Sequence, residues 1–368
     1  MKRIFKFLFL IFFLILISNS FMGNSFSSDW IEKQIKNTPK GSGRAIVSFE
    51  NKILLVNGLN CLDYEEYKAI STESDNSLYE LDGDKWKSFN ISGLESGKIN
   101  LGGAIIKDKI WFFGSFMVKD KWRSKEVSFI DLKKKKFEQL KTEGDSPYLR
   151  YGYCMAGRKV GEDLYFLSMY GGKVYDEANG KKIDYLSDEL YILSNKCLEW
   201  NKVSFKGDNP GKRQGATFVS VGSKMYLTGG IDENGNYLDD IWLVNPFGRE
   251  GIFSKQEYEG NLINAAFRAS TVVEDRYILL LGGESKIGGK TRPIKNVDVY
   301  DTYEKILYSI EDLPIGIRMG SAAISDTTGT RSVINLYGGK KYISNSLVKN
   351  ENLYTYSFDR KNFYKYLK

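Results

Sequence analysis

Five arginines, one glutamate and one missing residue type bound the chemistry open to this chain of 368 residues. Arg44, Arg150, Arg213, Arg268 and Arg318 each stand ahead of an apolar segment that leads to a pair of small residues. In the one remaining unit the matching place is Asn100. A guanidinium presents fixed, paired donors that suit a carboxylate or phosphate. Five of them at one mouth repel each other unless carboxylates or a bound anion offset the charge. Two roles are open for them. They hold an acidic ligand, or they pair with acids and carbonyls of neighbouring units. Glu284 follows Gly282-Gly283 directly, and Arg292 comes eight residues later. A carboxyl so placed can relay a proton.

There is no histidine anywhere in the chain. That excludes a Ser-His-Asp or Cys-His triad, an imidazole base, and His-ligated zinc, copper or haem. Cys61, Cys154 and Cys197 match no metal-ligand spacing. One disulfide among them is possible in an oxidising compartment, with one thiol left over. Cys154 lies in an apolar run and reads as a small core residue. Asp232-Glu233-Asn234-Gly235-Asn236 begins like a calcium loop. Tyr237 and Leu243 stand where such a loop needs Gly and Glu, so it reads as a plain turn. No metal or cofactor is expected.

The elements that must position these residues repeat. An apolar run ends in two small residues at Gly58, Ser115, Gly172, Gly230, Gly283 and Gly339, in steps of 57, 57, 58, 53 and 56 residues. Upstream of each comes a second apolar run and a polar turn, which reads as a hairpin. Downstream, past a variable loop, comes an alternating aromatic strand such as Leu190-Tyr191-Ile192-Leu193. A turn then leads to a fourth strand opened by Trp86, Phe137, Trp200, Phe253, Tyr308 or Phe363. The period of two residues and the wealth of aromatics argue for strands throughout. Four strands repeated six times predict an all-β, six-bladed propeller of antiparallel sheets. The blades are expected at about 43–92, 98–142, 149–206, 212–258, 266–310 and 317–367. Residues 26–40 contain WIEKQI, which resembles a fourth strand. It competes with residues 363–367 for the place that closes the ring.

Residues 1–25 read as a secretory leader. Lys2, Arg3 and Lys6 precede an unbroken apolar run over 7–17, and small polar residues follow. As a helix that run rises only about 16 Å, against about 30 Å of hydrocarbon core. The chain is therefore expected to be exported, to the periplasm or the cell exterior, with no later membrane span. Loss of the leader lowers the formal net charge from +7 to +4. That is no nucleic-acid footprint. Lys133 to Lys136 form the one basic run, read as a solvated turn.

The hairpin ending in Gly-Gly, followed by Tyr and then Trp, resembles the kelch repeat family over residues 41–368. The resemblance implies arginines that point into an axial pocket, where such domains hold acidic ligands. Strand alternation puts the entry to the first strand and the exit of the second on one face. The expected partner there is an acidic small molecule, a sugar or a protein. Two long loops, 59–77 and 173–189, open on the same face, and Lys133 to Lys136 lie on the other. GGESKIGGKTR is also similar to a segment of the sialic-acid mutarotases, exported kelch proteins. That resemblance implies Glu284 as acid/base and Arg292 as a grip on the sugar carboxylate. Three readings follow: a binding module, a mutarotase-like enzyme, and an envelope scaffold.

Overall fold

The structure is a computed structural model. It describes residues 29–361, apart from 40–43, 57–77, 94–97, 101, 118–121, 179–180, 249, 330, 345 and 360. The leader, Cys61, the loop at 59–77 and Phe363 fall outside the described residues. Among the described residues there is no α-helix, and no helix is long and apolar enough to cross a membrane.

Six sheets of four or five strands carry the chain. The first five are built on the expected order: hairpin, connection, third strand, turn, fourth strand. The fourth sheet shows the plan with Thr217–Val221, Lys224–Thr228, Ile241–Asn245 and Ile252–Lys255, all antiparallel. The expected aromatics open the fourth strands: Trp86 lies in Lys85–Phe89 and Trp200 in Glu199–Val203.

Alternation explains how the sheets stack. Successive side chains of a strand point to opposite faces. In Tyr277–Leu281 all five residues are buried. Tyr277, Leu279 and Leu281 join a cluster with the sixth sheet, while Ile278 and Leu280 join one with the fourth. A strand buried on both faces reads as a continuous apolar run. A cluster of this kind lies between each pair of consecutive sheets, and another joins the sixth to the first. Every seam is thus apolar, and the first strands of the sheets gather at the centre.

The sixth sheet takes its outer strand from the start of the chain. Ile31–Gln34 pairs antiparallel with Asn352–Asp359, placing Ile31 opposite Thr355. Trp30 is buried there, 5.0 Å from the Tyr356 ring, and its indole N–H donates to the Glu311 carbonyl at 3.1 Å. Of the two competing segments, the WIEKQI segment fills the slot.

Candidate functional site

The entries to the first strands of the third to sixth sheets are held by backbone bonds to their neighbours. The second glycine of a pair donates to the next sheet: Gly172 N to Arg213 O, Gly230 N to Ala265 O, and Gly283 N to Ile317 O. Two residues further on, Gly215 N donates to Gly152 O, Phe267 N to Gly215 O, and Met319 N to Phe267 O. These four residues share a left-handed backbone, with φ of 63° at Gly152, 67° at Gly215, 53° at Phe267 and 57° at Met319. Glycine takes that region freely, whereas Phe and Met are strained by roughly 1–3 kcal/mol. The four residues ring a cavity of about 160 Å³, with Tyr153, Cys154, Thr217, Arg268 and Ser270 deeper in its wall. Burial pushes the Cys154 thiol up to about 12, so it stays protonated and inert.

The same bonds correct the expected equivalence of the five arginines. Arg213 matches Ala265 and Ile317, and by the Tyr151–Lys173 pairing it matches Arg150. Arg318 stands one residue later in its strand entry. Arg44 and Arg268 come three residues later, directly before the first paired residues Ala45 and Ala269. Five arginines at five strand entries therefore occupy three different places relative to the pairing.

Three of these guanidiniums are buried in clamps within their own sheets. Arg150 meets Glu189 at 3.2 Å and also donates to Gly171 O, Tyr148 O and Ser187 Oγ. Arg213 grips Asp240 with both terminal nitrogens, at 2.7 and 2.8 Å, and reaches Gly229 O. Arg268 meets Asp298 at 2.6 Å, together with Leu280 O and Asn296 O. Their side chains are 0%, 1% and 4% exposed. Each clamp ties the entry of a first strand to the start of the third. Arg44 is buried and donates to Pro39 O at 3.0 Å. Asn100 pairs across strands with Ser115, and its side chain lies outside the described residues.

Glu189 carries a pH signature. Burial alone would raise its carboxyl. The Lys202 hydrogen bond, the charges of Arg150 and Lys202, and the Ser187 hydroxyl outweigh burial and hold it at about 2. A carboxyl depressed in the folded state adds stability that is full above the unfolded value, near 4.3, and is lost as pH falls through the folded one. Glu189→Gln is expected to lose less stability than the natural chain between pH about 4.5 and 2. Melting curves across that window check this.

Glu284 does not line the cavity at the strand entries; its backbone pairs with Ala266, next to Phe267 of the rim, and its carboxyl meets other partners. It is 3% exposed. Its Oε1 accepts from the Tyr237 hydroxyl at 3.1 Å, and its Oε2 lies 2.9 Å from Arg318 Nε. Tyr237 also lies 3.3 Å from Thr291 Oγ1. Burial, helped by the Glu284 charge, pushes the Tyr237 hydroxyl up to about 12, so it remains a donor at neutral pH. Arg318 lies over the Phe267 ring at 5.3 Å. The glutamate is thus held by the loop of the fourth sheet on one side and by the sixth sheet's strand entry on the other.

Arg292 is not at that carboxylate. Residues 284–293 form a hairpin with Glu284 opposite Pro293 and Ser285 opposite Arg292. Alternation places Glu284 and Arg292 on opposite faces of it. Arg292 instead lies 5.7 Å from the Tyr342 ring, on a second hairpin over 340–349. A third hairpin, Lys173–Ala178 with Lys181–Leu186, fills the loop expected at 173–189. All three stand between the second and third strands of their sheets, on the face of the mouth. Sequence reasoning missed Tyr237, Phe267 and Tyr342. Tyr237 had one visible signal: it stands seven residues after the Gly229-Gly230 pair, in a loop that must face the next hairpin. The opposite face carries short turns, among them the one at Lys133 and Lys134, beside a cleft of about 770 Å³ with both charge signs in its wall. Asp232 accepts from the backbone of Asn234 and Asn236, so it closes its own turn.

Comparison with known proteins adds three kinds of likeness. Residues 102–339 match the family model described as the KLHDC2/KLHL20/DRC7 Kelch-repeats domain. Kelch-like protein 25 of Xenopus laevis is 25% identical over 153 residues, 40% of this chain and 22% of that protein. Acyl-CoA-binding domain-containing protein 5 of Arabidopsis thaliana is 23% identical over 196 residues, 52% of this chain and 26% of that protein. The chain thus spans about a quarter of the length of these curated relatives. The solved structure of YjhT aligns with a TM-score of 0.58 at 13% identity, covering 89% of this chain and 99% of that one, which is a likeness of fold.

Proposed function

Since the chain belongs to the KLHDC2/KLHL20/DRC7 Kelch-repeats domain family, we propose that it is an exported six-bladed kelch propeller that works as a binding module. Its blades run through residues 41–368, and residues 26–40 supply the closing strand. Six sheets, six apolar seams and the first-to-sixth contact support that count. Export rests on the leader pattern at 1–25.

One observation carries the binding reading: three added hairpins rise on one face around the mouth, while the other face has short turns. Loops set on a rigid frame are where such folds keep recognition. The strained Phe267 and Met319 lie on the same rim, and strain of this kind gathers at sites of use. The partner is a protein or an acidic ligand. Its acidic groups would meet Arg292, because Arg150, Arg213, Arg268 and Arg318 already face carboxylates of their own. A photo-crosslinking side chain at Thr291 is expected to capture a partner from the native cell envelope. The same group at Lys133 is expected to capture none. Equal capture from both faces would overturn the reading.

Glu284 favours a second reading, the mutarotase-like one. A buried carboxylate between a tyrosine hydroxyl and an arginine beside the rim can relay a proton between ring oxygen and anomeric hydroxyl. Arg318, rather than Arg292, would then share the work with it. Anomer exchange of N-acetylneuraminate followed by NMR decides this. The reading requires acceleration that falls at least about a hundredfold in Glu284→Gln. No acceleration by the natural chain ends it.

A further inference from the structure

The two neighbouring hairpins of the fifth and sixth sheets have a character the mouth does not explain. Ile287 is 53% exposed, Ile343 51% and Leu347 39%. Ile287 directly precedes the turn at Gly288-Gly289, and Ile343 and Leu347 stand at and beside the last paired position of the second hairpin, Ile343 opposite Ser346. The hairpins touch through Arg292 over Tyr342, so they stand side by side on the same face. Their flanks carry Lys286, Lys290, Arg292, Lys340, Lys341 and Lys349. The one acid on either hairpin is Glu284, which is buried beside Arg318.

We propose that this pair of tips docks on an anionic lipid surface. Aliphatic side chains at the ends of narrow hairpins can enter the headgroup region one by one, where each gains apolar burial. Lysines and arginines set back from the tips then meet lipid phosphates, each adding attraction that falls off within a Debye length. A flat protein partner would leave two narrow projections poorly packed, so the shape favours a yielding surface. Docking there sets the mouth beside the membrane and brings it to partners displayed on that surface.

Co-sedimentation with vesicles tests this, using the chain without its leader. The vesicles are phosphatidylcholine alone, or phosphatidylcholine with phosphatidylglycerol as the anionic component. Binding is expected to the anionic vesicles only, and to be lost in high salt. Ile287→Asp with Ile343→Asp and Leu347→Asp is expected to weaken it at least about tenfold. Lys286→Glu with Lys290→Glu and Lys341→Glu is expected to do the same by charge. All six positions are exposed or half-buried, and unchanged melting curves of both variants exclude a folding defect. Absence of binding to anionic vesicles in low salt overturns the proposal. So does equal binding by the variants. Binding of poly-glutamate with none to vesicles would assign the tips to an acidic polypeptide instead.

Discussion

Arg213→Ala is expected to destabilise the fold by about 3–5 kcal/mol, read as a drop in the urea midpoint. The reason is the company left behind. Asp240 accepts two charge-assisted bonds from Arg213, and its side chain is 14% exposed. Without the guanidinium that charge keeps, among the described residues, the Trp242 indole N–H at 2.7 Å. The carbonyl of Gly229 loses its donor as well. Replacing the pair together, Arg213→Met with Asp240→Leu, is expected to recover most of the loss, since a buried pair and a packed apolar pair cost similar amounts. A double variant as damaged as Arg213→Ala would mean that the clamp is not the source.

Gly171→Ala has the second large effect expected, a loss of about 2–5 kcal/mol. Two costs add. Gly171 sits at φ of 68°, which an L side chain occupies at about 1–2 kcal/mol. A Cβ there would also come within 2.5 Å of the Arg213 carbonyl oxygen. That oxygen is fixed by Gly172 N at 2.8 Å, so it cannot step aside, and overpacking of this sort costs a further 1–3 kcal/mol or so. Gly207→Ala is the control. It has φ of 85° with open space around it. Equilibrium unfolding of the two variants should differ by the steric part alone. Equal losses would remove the packing argument.

Much of this was legible in the sequence. The paired glycines mark where one sheet's second strand passes the next sheet's entry, as the Gly171 contact shows. The aromatics at Trp86 and Trp200 fall in the fourth strands where alternation puts them. The arginines were harder. Spacing located them near the strand entries but not in register, because a shift of one residue turns a side chain to the other face of the strand. Their acids, Glu189, Asp240 and Asp298, sit at variable distances beyond each glycine pair, so no fixed spacing announces them. Glu284 and Arg292 are a different case. The Gly288-Gly289 step is a two-residue hairpin signal. Counting outward from it separates the two residues onto opposite faces. The partner that Glu284 does meet, Arg318, comes from the following sheet and so could be found only in three dimensions.

The closing strand has a consequence in time. Ile31 and Thr355 stand 324 residues apart. At 5–20 residues per second, synthesis separates their appearance by tens of seconds. Ile31–Gln34 is made long before the strand it pairs with and must wait for it. Through that interval five sheets can stack, and the sixth then emerges with an unpaired edge. A neighbouring chain's Ile31–Gln34 fits that edge as well as the chain's own, so crowded refolding opens a route to strand-exchanged dimers. The sixth sheet is completed by a segment made long before it, and its assembly is a race between that segment and a stranger's copy.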